Sequence, residues 1–268
     1  RSRWHIKEWM SKMNKHRKND VTVGILFFIG TASGILSGVV TAPVRIEATY
    51  PLNIDARESQ WIIGTLLVLL MGLALAMVPV LLYPVFRKYN ETLAFGSVLF
   101  RGVFEAICEM LLVISMFLLL NVSELHGKAG TTDVSNLQAL GSLLVGAGEW
   151  IQMIGGIVFS VGTLMMFILF YQTRLVPRWL SGWGVLGAVL YFTAKIVSMF
   201  GPLHIAPLIE SGIGQLMIPT AIQEMVFAVW MIVKGFNPSA LASLSTKKEL
   251  RMDILGLAAA LERQPCKT

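Results

Sequence analysis

Six long apolar runs separate this chain from anything that folds in water. They are Val21–Ala42, Trp61–Val85, Leu93–Leu120, Leu137–Tyr171, Trp179–Phe200 and a last one from about Gln215 to Ile232. A run of about 20 apolar residues crosses a hydrocarbon core of roughly 30 Å as an α-helix. Every run is long enough or nearly so, and 14% charged residues are too few to cover a water-facing surface. The expected fold is all-α: a polytopic transmembrane bundle of six helices. The first run follows a basic segment of twenty residues and is too long for a cleaved signal, so it reads as a retained span. Leu137–Tyr171 exceeds what one crossing needs, and Leu137–Gly148 reads as an interfacial or tilted lead-in to the fourth span.

Charge placement orients the bundle. Seven cations lie in the first twenty residues, two in the turn after the second span (Arg87, Lys88), and two in the turn after the fourth (Arg174, Arg178). Six more follow Val233, which makes 17 on one side. The other side holds three: Arg45, Arg57 and Lys128. Cytoplasmic segments keep the excess of Lys and Arg, so both termini are expected inside and the polar stretch Asn121–Asn136 outside as an aqueous loop. Three segments result: a basic leader (1–20), a six-helix domain (21–236) and a cytoplasmic tail (237–268). In the tail, Leu250, Ile254, Leu257 and Leu261 recur at helical spacing. That amphipathic helix lies along the membrane surface or binds a partner, and the sequence leaves both open. The leader reads as an anchor for anionic lipid headgroups rather than as a nucleic-acid site.

Small and bending residues mark packing. Gly30, Gly34 and Gly38 repeat every fourth position of the first span, and Gly184 and Gly187 do similar work in the fifth. Pro79 and Pro219 fall inside spans and are expected to bend them.

Ionisable residues inside the spans carry the functional signal. The third span reads Arg101-Gly-Val-Phe-Glu105-Ala-Ile-Cys-Glu109, with three charges four apart and so on one helical face. A charge at mid-bilayer costs at least ~2.5–3.5 kcal/mol, so this face must point into the bundle. Partners on other spans are Glu224, next to Gln223, in the sixth and Lys195 in the fifth. Glu149 and Gln152, near the outer end of the fourth, are weaker candidates. Arg101 is expected to bond Glu105 one turn away, and Lys195 to bond Glu109 or Glu224. Three mid-membrane carboxylates then face two cations, and the surplus one takes a proton or holds a cation.

Several chemistries have no residues to run them. The chain has no HExxH pair, no Walker loop and no serine in a nucleophile elbow. His5, His16, His126 and His204 lie outside the apolar runs, against a bis-histidine haem. Cys108 and Cys266 have no metal or redox spacing. No cofactor and no metal are expected.

Three words of sequence resemble a known family: Leu82-Tyr83-Pro84-Val85-Phe86-Arg87 with Leu93-Ala94, Arg101 and Glu105 after it; Arg174-Leu175-Val176-Pro177-Arg178-Trp179-Leu180-Ser181-Gly182; and Glu224 through Trp230 to Lys234-Gly235-Phe236. Over roughly Val21 to Asn237 the chain is similar to bacterial multi-pass inner-membrane proteins carried under a domain-of-unknown-function label (4386). The resemblance implies a bacterial inner membrane and no activity. It suggests a structured inner turn at Arg174–Ser181, with Arg178 meeting lipid phosphate and Trp179 at the interface. Three functions remain open from the sequence. One is a small-solute or proton-coupled carrier, or ligand-binding protein, using the charged cluster. Another is a non-catalytic subunit or sensor acting through an oligomer or protein partner. The third is a lipid-modifying enzyme, for which no nucleophile or metal site is found.

Overall fold

The computed structural model describes residues 2–47, 50–128, 134–200 and 218–244, with side chains from Arg17 onward. Six helices carry the apolar runs: α1 (Ser2–Arg45), α2 (Glu58–Phe86), α3 (Glu91–Lys128), α4 (Val134–Thr173), α5 (Arg178–Phe200) and α6 (Ile218–Val233). Five are long and apolar enough to cross a membrane. A sixth span results if α6 and the short helix Pro238–Leu244, bent from it by 88°, count as one. Among the described residues there is no strand. The all-α membrane bundle expected from the apolar runs is the fold observed.

The helices pack as a closed ring in chain order. Each lies against its sequence neighbours, and α6 returns to lie against α1. Two apolar clusters fill the ring, one toward each end. The first joins Phe27, Leu82, Phe86, Phe167, Phe170, Leu175, Phe227 and Phe236. The second joins Val44, Ile54, Trp61, Leu112, Met116 and Leu120. Aromatic edges interlock in the first cluster, where Phe27 meets Phe227 at 5.0 Å and Phe86 meets Phe170 at 4.8 Å between ring centres. The outer surface is the reverse of a soluble protein's. Leu36, Val39, Leu66, Leu73, Ile114 and Leu186 are all exposed, as lipid-facing side chains are.

Local rules set the helix ends. Asn90 caps α3 by accepting a hydrogen bond from Leu93 N at 3.0 Å. α6 stops at Gly235, whose φ of +69° lets its N–H reach back to Trp230 O at 3.1 Å. Arg17 then closes this end: its guanidinium donates to the carbonyls of Met231, Ile232 and Val233 at 2.6–3.2 Å. Asp20 accepts from Phe236 N at 3.1 Å. These bonds put the basic leader, the basic turns and the end of α6 at one end of the bundle.

Several expectations are corrected. The stretch Asn121–Asn136 is mostly helix: α3 continues to Lys128 and α4 begins at Val134. One polar residue of that stretch, Ser123, is satisfied inside the bundle. Ser123 Oγ donates to Asp55 Oδ1 at 2.8 Å and accepts from Asp55 N at 3.0 Å. Leu137–Gly148, open in the sequence between an interfacial segment and part of the fourth span, is continuous with that span in one 40-residue helix. At about 1.5 Å per residue it is roughly 60 Å long, well beyond the hydrocarbon core. Pro219 lies at the edge of the described residues, next to the start of described α6. Pro79 does lie inside α2. Of the glycine repeat, Gly30 and Gly34 meet Leu75 and Met71 of α2, whereas Gly38 faces open space. The tail helix at 247–263, His204 and Cys266 lie outside the described residues.

The ring fixes which ends share a side. With Cys108 and Cys266 replaced by serine, a single cysteine at Lys128 should react with a membrane-impermeant maleimide added outside cells. One at Lys88 should react only after permeabilisation. The reverse pattern would invert the orientation drawn from the charge asymmetry.

Candidate functional site

Between the two apolar clusters lies a polar layer. Its centre is Arg101, 1% exposed, in the middle of a π-helical segment of α3 (Val98–Phe104). Wider π turns recur where a helix is bent to a function. Nη1 of Arg101 donates to Glu105 Oε1 one turn on, and Nη2 donates to Glu224 Oε1 of α6 at 3.0 Å. The other oxygen of Glu224 accepts from Thr31 Oγ1 of α1 at 2.9 Å. The guanidinium lies 4.5 Å from the ring centre of Phe159 on α4. One buried cation therefore ties α1, α3, α4 and α6 together.

Close backbone approach makes room for it. A Cβ on Gly162 of α4 would stand 2.5 Å from Arg101 N and 2.8 Å from its Cα, so only glycine fits against that backbone. The next members of the charged face are seated the same way. Gly72 of α2 would bring a Cβ to 2.9 Å from Glu109 Cβ, and Gly156 of α4 one to 2.4 Å from Lys195 Cε.

The predicted residues separate into groups. Arg101, Glu105 and Glu224 meet directly. Glu109 and Lys195 lie close enough to interact electrostatically. The expected Lys195 ion pair with Glu109 or Glu224 is not formed: no described carboxylate comes within ion-pairing distance of its ammonium, which sits 5.6 Å from the Tyr191 ring centre instead. The Lys195 stem is laid along Gly156 of α4. Gln223 is fully buried but turns toward α5, donating to Leu180 O at 3.4 Å. Two carboxylate oxygens, Glu105 Oε2 and Glu109 Oε2, are buried with no hydrogen-bond partner among the described residues.

Glu149 and Gln152 are exposed and stand apart from this layer. They line an outer cavity of about 210 Å³ with Arg45, Tyr50, Trp61 and Ser115. There burial pushes the Tyr50 phenol up, with Arg45 opposing. No group of three or more potential metal ligands occurs among the described residues. Thr31, Phe159 and Gly162 are site residues that sequence reasoning missed. A lone threonine, phenylalanine or glycine in an apolar run carries no mark of what it will face.

A ring of apolar helices around an inward charged layer defines a multi-pass membrane protein. The chain belongs to the family described as domain of unknown function (DUF4386), whose family model matches residues 22–235. No curated protein and no solved structure matches it.

The tight seat of Arg101 yields a stability test. Gly162→Ala should cost about 1–3 kcal/mol, as overpacking of a filled site does. Gly38→Ala, with nothing within 4 Å, should be neutral. Thermal unfolding of the two variants in detergent makes the comparison; equal melting temperatures would contradict the packing described.

Proposed function

We propose that this protein is a proton-coupled carrier of a small solute in a bacterial cytoplasmic membrane. The supporting observation is the charge balance of the polar layer. Of three carboxylates in the layer, Glu105 and Glu224 pair with Arg101, Glu109 and Lys195 pair with no described residue, and an oxygen each of Glu105 and Glu109 is buried without a partner among the described residues. Such atoms are costly to bury unless they bind something. A carrier needs a membrane-embedded group that changes protonation or partner during its cycle, and a surplus carboxylate beside an unpaired lysine supplies one. The bacterial membrane follows from the resemblance of the three sequence words, and the orientation from the 17-to-3 cation asymmetry.

A second reading rests on the Arg101 triad. With Glu105, Glu224 and Thr31 around it, Arg101 clips four helices together. A non-catalytic subunit or sensor, working through partners, would use a permanently paired network in that way.

The substitutions that separate these readings follow from the two-sided pairing. Glu105→Gln leaves Arg101 its bond to Glu224, so the protein should stay folded. Arg101→Gln strands two carboxylates and should cost ~3–5 kcal/mol, enough to lose most of the protein from the membrane. In lipid, pH-difference infrared spectra of the wild type should show a carboxylic-acid C=O stretch that titrates. That band should weaken in Glu105→Gln or Glu109→Gln. Variant spectra superimposable on the wild type would refute the carrier and leave the clip.

A further inference from the structure

At the basic end of the bundle a second set of cations converges, independent of the polar layer. The turn between α4 and α5 and the end of α6 enclose a cavity of about 510 Å³. Arg174, Arg178 and Lys234 line it with Trp230 and Asn237, and no acidic residue does. Among the described residues none of the three makes an ion pair. Three like charges around one hollow repel each other unless an anion sits between them.

The walls are set rather than loose. Arg174 ends α4 with φ +55°, and Asn237 N donates to Leu175 O at 2.8 Å, tying the α6 end to the α4–α5 turn. The Arg178 guanidinium lies 5.4 Å from the Tyr171 ring centre and the Lys234 ammonium 4.4 Å from that of Trp230. Cations over aromatic faces are partly held in place. Trp230 meets Trp179 edge-on at 6.2 Å, and Trp179 is 56% exposed on the outer surface. An exposed tryptophan beside a basic pocket is the arrangement of a membrane–water interface.

We infer that this cavity binds the phosphate of an anionic lipid headgroup, with Arg178 and Lys234 as the principal ligands and Arg174 beside them. Arginine offers a planar fork to phosphate oxygens and lysine a point charge. Trp230 lines the cavity and is backed by the exposed Trp179. A basic pocket on the cytoplasmic side of a helical bundle suits an anionic headgroup. The site is discrete, and so differs from diffuse attraction by the seven leader cations.

The test uses the full chain in a neutral detergent and follows retention of added phosphatidylglycerol by native mass spectrometry. Phosphatidylcholine and inorganic phosphate form parallel arms. One phosphatidylglycerol should be retained per protein, in preference to phosphatidylcholine. Arg178→Gln and Lys234→Gln should each weaken retention about fivefold, and adding Arg174→Gln should weaken it further. All three side chains are exposed, so their removal should leave the melting temperature unchanged. Arg178→Lys and Lys234→Arg keep the charge and should keep most of the retention. Neutralising Lys7, Lys12 and Lys15 of the leader should have no effect. Loss of retention in the leader variant with none in the pocket variants would overturn the proposal. So would displacement by millimolar inorganic phosphate alone, which would assign the pocket to a soluble anion.

Discussion

A guanidinium held where water is scarce is the constraint on which the rest of this bundle depends. Arg101 cannot lose its charge, so the surrounding helices have to neutralise it. Glu105 comes from its own helix, Glu224 from α6, and Thr31 of α1 orders the second carboxylate. These three helices must therefore keep a common depth, because sliding one by a single turn of about 5 Å would break the contacts. Apolar packing alone does not fix register so strictly, since lipid is as good a solvent for leucine as another helix is. The ring closes α6 onto α1, and the Arg101 triad specifies where along its length it closes.

The backbone yields to the charges rather than the reverse. Glycines stand opposite each of Arg101, Glu109 and Lys195, and they come from two helices that flank the charged face, α2 and α4. The π segment spans Val98–Phe104, and Gly102 within it would bring a Cβ within 3.4 Å of Ala76 O and Pro79 Cγ. Pro79 removes a helical N–H from α2 at the same level. Irregular backbone is tolerated at membrane depth where protein covers it, and here it coincides with the charged layer.

Much of this was legible in the sequence, and the rest was not for identifiable reasons. The apolar runs gave the spans because burial in lipid is a bulk property of about twenty consecutive residues. The spacing of Arg101, Glu105 and Glu109 gave one face, and the cost of charge in lipid turned it inward. Glu224 followed as a partner because few charges exist at that depth. Helix ends did not follow as well: Ser123 looked like loop, yet Asp55, far off in the chain, satisfies it. The place of Lys195 did not follow either, since its stem lies against Gly156 of another helix. Thr31 and Gly162 were invisible for the same reason, since their roles are set by what they face.

The position of α6 links the two ends of the charged system. Glu224 lies seven residues before Met231, whose carbonyl accepts from Arg17, so about 10 Å of helix joins the Arg101 triad to the basic end. The helix is continuous between these two contacts. Gly235 and the 88° bend that follows lie just beyond the Arg17 bonds. Trp230, within α6, and Lys234, just past its end, line the basic cavity. Two separate charged regions, the Arg101 triad and the basic cavity, are thus built in part on α6.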